Sequence, residues 1–189
     1  MDLTTTYLGL KLAHPLMPGA SPLSTDLDAV RRLEDAGAAA IVMHSLFEEQ
    51  ITMEQAASLA NEDAHAESSA EATSYFPRPE GYRLGPHDYL ALIANIKAAV
   101  KVPVIASLNG ITKGGWLSYA KQMQQAGADA LELNVYYLPT DSTVTSEHVE
   151  GTAVEMVKEI KTNITVPVAV KLAPFYSSLP HFAHRLEAA

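Results

Sequence analysis

The chain has 189 residues, a formal net charge of −9 and no cysteine, which suits one domain with a substantial core. No basic cluster is present, so nucleic acid and anionic membranes are poor partners, and without cysteine there is no disulfide, thiolate metal site or cysteine nucleophile. No run of about 18 apolar residues is available to span a membrane, and Met1-Asp-Leu-Thr-Thr-Thr lacks the order of a signal peptide, so a cytoplasmic enzyme acting on a small molecule is expected.

Tyr7-Leu-Gly-Leu-Lys-Leu alternates around a glycine and predicts a small hairpin or edge strand. His14-Pro-Leu-Met-Pro-Gly-Ala-Ser21 reads as a first strand, with Pro18 and Gly19 ending regular pairing. Thr25 is placed to cap a helix striped by Leu27, Val30 and Leu33. Ala39-Ala-Ile-Val-Met is a second strand ending at His44-Ser45, and a helix is expected from Phe47 to Ala60. Residues 61–87 show no regular period, so a lid or disordered loop is expected there.

Leu90, Ile93, Ala94 and Lys97 mark the next helix, which returns to a strand from Pro103 to Leu108. Gly110, Gly114 and Gly115 suggest a flexible turn, followed by Trp116, Tyr119, Ala120 and Met123 at helical spacing. Ala130, Leu131 and Leu133 are too uniformly apolar for a half-exposed strand and belong inside a parallel sheet. A rim loop at Val135-Tyr-Tyr-Leu-Pro-Thr-Asp-Ser follows. Ser146 is placed to cap a helix striped by Val149, Ala153, Met156, Val157 and Ile160. Val168–Leu172 is a fifth strand, and residues 179–188 a last helix.

Two phrases recur. Ala-Gly-Ala appears at 36–38 and 126–128, each time between a helix and a strand; Val-Pro-Val appears at 102–104 and 166–168, each time opening a strand. The period predicts an α/β fold of the (β/α)8 TIM-barrel type, as one domain over residues 1–189. Five strand-and-helix units fall short of the eight units and about 250 residues of a closed barrel, so the N-terminal part of a barrel is expected. A homo-oligomer or the remaining barrel would then cover its open edge.

Polar residues stand at the strand ends: Ser45, Ser107 with Asn109, Asn134 and Lys171. In such barrels that end carries the active site. Lys171 reads as a cation beside an anionic ligand, as a Schiff-base amine, or as a lysine snorkelling past the strand end. Asn134 offers a donor and an acceptor to a heterocyclic amide, or bonds its own turn. Glu132 shares a strand face with Asn134 and is the expected partner of Lys171. His44 and Ser45, being adjacent in a strand, should face opposite ways. Tyr136 and Tyr137 are rim phenols. The histidines show no ligand spacing, so no metal site is expected.

His14-Pro-Leu-Met-Pro-Gly-Ala-Ser, Ala128-Asp-Ala-Leu-Glu-Leu-Asn-Val and Val166-Pro-Val-Ala-Val-Lys-Leu-Ala-Pro resemble, in order, segments of the dihydroorotate dehydrogenases. That resemblance implies an FMN-containing barrel oxidising dihydroorotate to orotate in pyrimidine biosynthesis. By the same resemblance the backbone at Ala20 and Ser21, with Ser45, Asn134 and Lys171, would contact FMN. Lys171 would stabilise the anionic reduced flavin. The family's Leu-Ser-Cys-Pro-Asn is here Val135-Tyr-Tyr-Leu-Pro139. Tyr137 therefore takes the place of its Cys or Ser base, and Pro139 that of a substrate-binding Asn. His44 replaces a lysine, and Tyr82-Arg-Leu-Gly85 is the nearest match to its substrate loop. Tyr137 and His44 are the candidate catalytic residues. Glycine-rich phosphate loops that the family carries late in its barrel have no match here, so weak FMN binding by this chain is expected. A lysine-dependent aldolase or lyase barrel, or a non-catalytic barrel fragment, are the alternatives.

Overall fold

The computed structural model describes residues 1–48, 86–110, 113–137 and 139–189. The helix expected beyond Glu48 and the expected loop up to Gly85, with Tyr82-Arg-Leu-Gly85, lie outside them.

Strands β1 (Thr5–Tyr7) and β2 (Leu10–Leu12) form the expected hairpin. Leu8 (φ 53°) and Gly9 (φ 74°) both lie in the left-handed region, the two-residue turn whose twist matches paired strands. Residues 14–21 are not a strand. They run beside the sheet, with Ala39 N–H donating to Leu16 C=O and Val42 N–H to Pro18 C=O; Pro15 and Pro18 have no N–H with which to extend a ladder. A 3-10 turn, Pro22–Thr25, precedes α1 (Leu27–Asp35), which Asp26 caps rather than Thr25.

Among the described residues β3 (Ile41–Phe47), β4 (Val104–Asn109), β5 (Ala130–Val135) and β6 (Val168–Leu172) form one parallel sheet in chain order. Helices α2 (Pro86–Ala99), α3 (Lys113–Gln125), α4 (Ser146–Asn163) and α5 (Leu179–Glu187) follow the strands and pack on their sequence neighbours. Three boundaries differ from expectation. Phe47 ends β3, residues 86–87 open α2, and Gly114 and Gly115 lie inside α3. Thr145, one residue before Ser146, caps α4 by accepting the His148 N–H.

The two faces of the sheet differ chemically. The helix side holds the main core, including Ile41, Met43, Val104, Ala106, Leu108, Leu131 and Leu133 with Ile93, Ile96, Trp116, Met123, Val157 and Ile160. The inner side begins with an apolar row, Val42, Ile105 and Ala130, closed from below by Leu8, Leu10 and Leu12 of the hairpin and by Met17 and Ala20. Above it the paired residues become polar: Ser45, Ser107 and Glu132 align with Ala169, and Asn134 aligns with Lys171.

The recurring phrases have a recurring structure. Gly37 (φ 94°) and Gly127 (φ 100°) take the left-handed position that ends a helix. In both, the next N–H reaches back to close the turn: Ala38 to Leu33 C=O and Ala128 to Met123 C=O. Glu34 Oε1 accepts the N–H groups of Lys101 (2.6 Å) and Val102 (3.2 Å), and Gln124 Oε1 those of Thr165 (2.6 Å) and Val166 (3.2 Å). Each helix end is thus latched to the Val-Pro-Val opening of another strand.

Strand β3 carries one extra residue. Val42 pairs with Ile105 but Ser45 with Ser107, so two residues, Met43 and His44, oppose Ala106. Such a bulge takes backbone groups out of the ladder. Here the Ser24 hydroxyl accepts the His44 N–H at 2.6 Å, and the Tyr89 hydroxyl donates to His44 C=O at 2.8 Å while accepting the Ser107 N–H at 3.1 Å. Tyr89 is fully buried, and burial pushes its phenol pKa well up, keeping the donor protonated.

Replacing Tyr89 by Phe leaves a buried carbonyl and a buried N–H without this partner, each worth about 1–3 kcal/mol. Tyr89→Phe is therefore expected to destabilise by about 2 kcal/mol or more in denaturant melts, and an unchanged midpoint would refute the role given to the hydroxyl. The glycines of α3 should respond with opposite signs. A Cβ at Gly114 meets nothing, whereas one at Gly115 overlaps the buried Glu48 carboxylate. Gly114→Ala should raise stability by about 0.5–1 kcal/mol and Gly115→Ala lower it by about 1–3 kcal/mol. Equal effects would contradict that packing.

Candidate active site

The bulge decides which residues meet. Plain alternation from Val42 would turn His44 inward and Ser45 outward; the extra residue instead brings Ser45 onto the inner face with Ser107. The expectation that His44 and Ser45 face opposite ways agrees with this. Ser45 Oγ lies 2.9 Å from Ser107 Oγ. Asn134 Nδ2 donates to Ser107 Oγ (2.9 Å), Ser45 Oγ (3.1 Å) and the Leu108 carbonyl (3.2 Å). Ser107 Oγ donates to Glu132 Oε1 at 3.2 Å, and Lys171 Nζ donates to the same oxygen at 2.9 Å. Glu132 is thus the partner of Lys171 that its place on the strand suggested.

The Leu108 contact fixes the sense of the Asn134 amide, because a carbonyl can only accept and must face the NH2 group. Asn134 is 3% exposed, and its Oδ1 is buried with no hydrogen-bond partner among the described residues. A buried acceptor left unpaired costs about 1–3 kcal/mol. The side chain borders a cleft of about 500 Å³ that is also lined by Asn109, Trp116, Tyr136, Tyr137, His148 and Tyr176.

The other sequence candidates lie around this cluster. Ala20 packs on the apolar floor. The Ser21 carbonyl accepts from Ser24 N and Oγ, and Ser24 in turn holds the bulge at His44. Tyr136 and Tyr137 are exposed on the rim, and the Tyr136 ring lies 6.0 Å from Lys171 Nζ. Tyr137 lines the 500 Å³ cleft and a neighbouring one of about 560 Å³ between the β5–α4 and β6–α5 connections. His44 sets its ring edge-on to Tyr89 at 4.9 Å, and its Nδ1 is buried without a partner among the described residues. Its ring is not among the bonded partners of the Ser45–Ser107–Asn134 cluster.

Ser24, Tyr89 and Ser107 were not singled out as site residues from the sequence. Ser107 was visible as a polar strand end. Ser24 and Tyr89 carried no signal, because their roles exist only once the bulge is in place. Among the described residues no three His, Asp or Glu side chains come together as a metal site, and no helix is long and apolar enough to cross a membrane.

No protein-family profile matches the chain. Over its whole length it is 26% identical to the catalytic subunit of dihydroorotate dehydrogenase B (NAD(+)) from Thermoplasma volcanium and 27% identical to that from Thermoplasma acidophilum. It spans 60% of the length of both relatives. Among solved structures, dihydrodipicolinate synthase from Agrobacterium tumefaciens superposes with a TM-score of 0.52 at 14% identity, covering 91% of this chain and 48% of that one. Dihydrodipicolinate synthase from Aquifex aeolicus gives 0.53 at 15% identity, with 92% and 49% covered. Phosphonopyruvate hydrolase gives 0.51 at 18% identity, with 91% and 53% covered. The structural likeness concerns the fold: an α/β chain of (β/α)8-barrel type forming part of a barrel.

Burial lowers the His44 pKa below its ordinary value of about 6.5. The folded state therefore binds fewer protons here than the unfolded chain. From this group, stability is complete above about pH 6.5 and falls as pH drops through the lowered folded value. His44→Phe, which keeps a ring on Tyr89, should flatten that part of the curve in thermal melts between about pH 5 and pH 8. Parallel curves for the two proteins would show that His44 does not cause it.

Proposed function

We propose that the chain is an FMN-dependent oxidoreductase barrel of the dihydroorotate dehydrogenase type, acting on a CH–CH bond of a small molecule. The observation that carries this reading is the strand-end cluster. It holds a buried amide oxygen at Asn134, without a partner among the described residues, on the residue paired with Lys171, and these residues resemble the flavin contacts of that family. Sequence similarity to two dihydroorotate dehydrogenase B catalytic subunits over the full chain supports it.

The cluster fits the polar edge of a flavin. Asn134 Oδ1 would accept a ring N–H, and Lys171 would stand by a ring carbonyl. Ser45 and the backbone at Ala20 and Ser21 would complete the contacts. FMN, when bound, supplies the two-electron chemistry that these side chains lack. Lys171 provides positive charge, held toward the inner face by Glu132. Tyr137 occupies the family's base position, and we assign substrate proton removal to its phenol, with His44 as the second candidate. The substrate-side motif differs more than the flavin side, so dihydroorotate is the first substrate to test rather than an assignment. The outer edge of β6 is where a second copy, or further barrel strands, would add.

A Schiff-base reaction at Lys171 is the competing reading. An attacking amine must be unprotonated, whereas Lys171 is engaged as an ammonium donor to Glu132, which favours the cation role.

The test is titration of the purified chain with FMN, followed by flavin absorbance and fluorescence. Saturable binding is expected, weakened about tenfold in Asn134→Ala and in Lys171→Met, the loss corresponding to one hydrogen bond. Absence of binding up to about 1 mM FMN, with borohydride trapping of a carbonyl compound on Lys171, would replace the flavin reading by the lyase one.

A further inference from the structure

The hydrogen atoms of the cluster can be assigned one by one. Ser107 has a single hydroxyl hydrogen, and Glu132 Oε1 accepts it. The 2.9 Å contact between the two serines must then use the hydrogen of Ser45. Of the two Asn134 amide hydrogens one goes to the Leu108 carbonyl, which can only accept, so the other is shared between the two serine oxygens. Every other hydrogen therefore points the same way, from Asn134 and Ser45 through Ser107 to the carboxylate, where Lys171 adds its own.

We infer that Glu132 is a positioning residue which sets the hydrogen-bond polarity of the strand-end site. With the carboxylate as the common acceptor, Ser45 and Ser107 have no hydrogen left for a ligand. What remains among the described residues of the cluster is a lone pair on Ser45 Oγ, the Asn134 Oδ1 without a partner there, and the Lys171 ammonium. Such a site takes ligands that bring N–H donors beside a carbonyl and discriminates against the same ring with its nitrogen capped. Glu132 is 15% exposed through its side chain, and its role is exercised through Ser107 and Lys171 rather than by touching the ligand. The inference rests on the flavin reading for its first probe, though the direction of the chain stands without it.

The test compares wild type, Glu132→Gln and Glu132→Met, each titrated with FMN and with N3-methyl-FMN. Glutamine keeps an acceptor oxygen and loses the charge; methionine keeps the volume and loses both. Wild type should prefer the N3–H flavin by about tenfold, the loss of one hydrogen bond to a fixed acceptor. Glu132→Gln should keep that preference, because Ser107 still has its acceptor. Glu132→Met should lower the ratio without abolishing it, since the serine hydroxyls can then turn outward and Ser45 Oγ is no longer a fixed acceptor, while the Leu108 carbonyl still holds the Asn134 amide in its sense. A purely structural role would change both affinities together and leave the ratio alone. An unchanged ratio in Glu132→Met, or its equal fall in Glu132→Gln, would overturn the proposal.

If wild type binds neither flavin, the flavin reading fails and the polarity is judged without ligand, from the Ser45 and Ser107 hydroxyl protons in proton NMR. They should be protected from solvent exchange in wild type and Glu132→Gln and lose protection in Glu132→Met; equal protection in all three sinks the inference. If Glu132→Met does not fold, Ser107→Ala takes its place in either arm. It cuts the chain at its middle and should lower the preference or the protection in the same way, and wild-type behaviour would again be the overturning result.

Discussion

The one-residue bulge in β3 is the constraint on which the site depends. Parallel pairing with a period of two puts Ile105 and Ser107 on one face of β4, and Ala130, Glu132 and Asn134 on one face of β5. Strand β3 joins that register with Val42, then has to skip a residue for Ser45 to arrive opposite Ser107. The skip would leave His44 with an idle N–H and carbonyl. Ser24 and Tyr89, from the preceding turn and the following helix, take up both. A buried backbone defect is thereby converted into a fixed placement of one hydroxyl.

The inner face is graded from bottom to top. Its lowest row is apolar and is closed by the hairpin and by Met17 and Ala20. The next row holds two hydroxyls and a carboxylate, and the uppermost an amide and an ammonium. A carboxylate at the Glu132 position survives burial because two donors converge on one of its oxygens. The helix-facing side shows no such gradient; its core is mainly aliphatic, with Tyr89, Trp116 and Phe182 filling the larger spaces. Structure and chemistry are thus divided between the two sides of the same strands.

Much of the fold was legible because it rests on short-range rules. Gly37 and Gly127 announced their helix ends, the apolar run at 130–133 announced a parallel strand, and the Lys171–Glu132 pair followed from a shared strand face. The helix stripe in α4 was recovered almost residue by residue. Apart from the Lys171–Glu132 pair, what could not be read was what required the register between distant segments. Residues 14–21 look extended but carry prolines that prevent a ladder. Tyr89 reads as an ordinary aromatic in an amphipathic helix, and its hydroxyl matters only because a bulge lies above it. Ser24 is one of two serines at a turn. The direction of the hydrogen bonds through Ser107 likewise depends on register across three strands, which no local pattern records.

The paired latches at Glu34 and Gln124 have a consequence for chain length. The first closes a segment of 67 residues and the second one of 41, with the same donor geometry. For a flexible connection the entropy difference between those lengths is only about 0.4 kcal/mol. Closing the longer segment therefore costs the first latch almost nothing more than the second. The two latches can thus hold the same geometry at two strand openings although the chain between their partners differs in length.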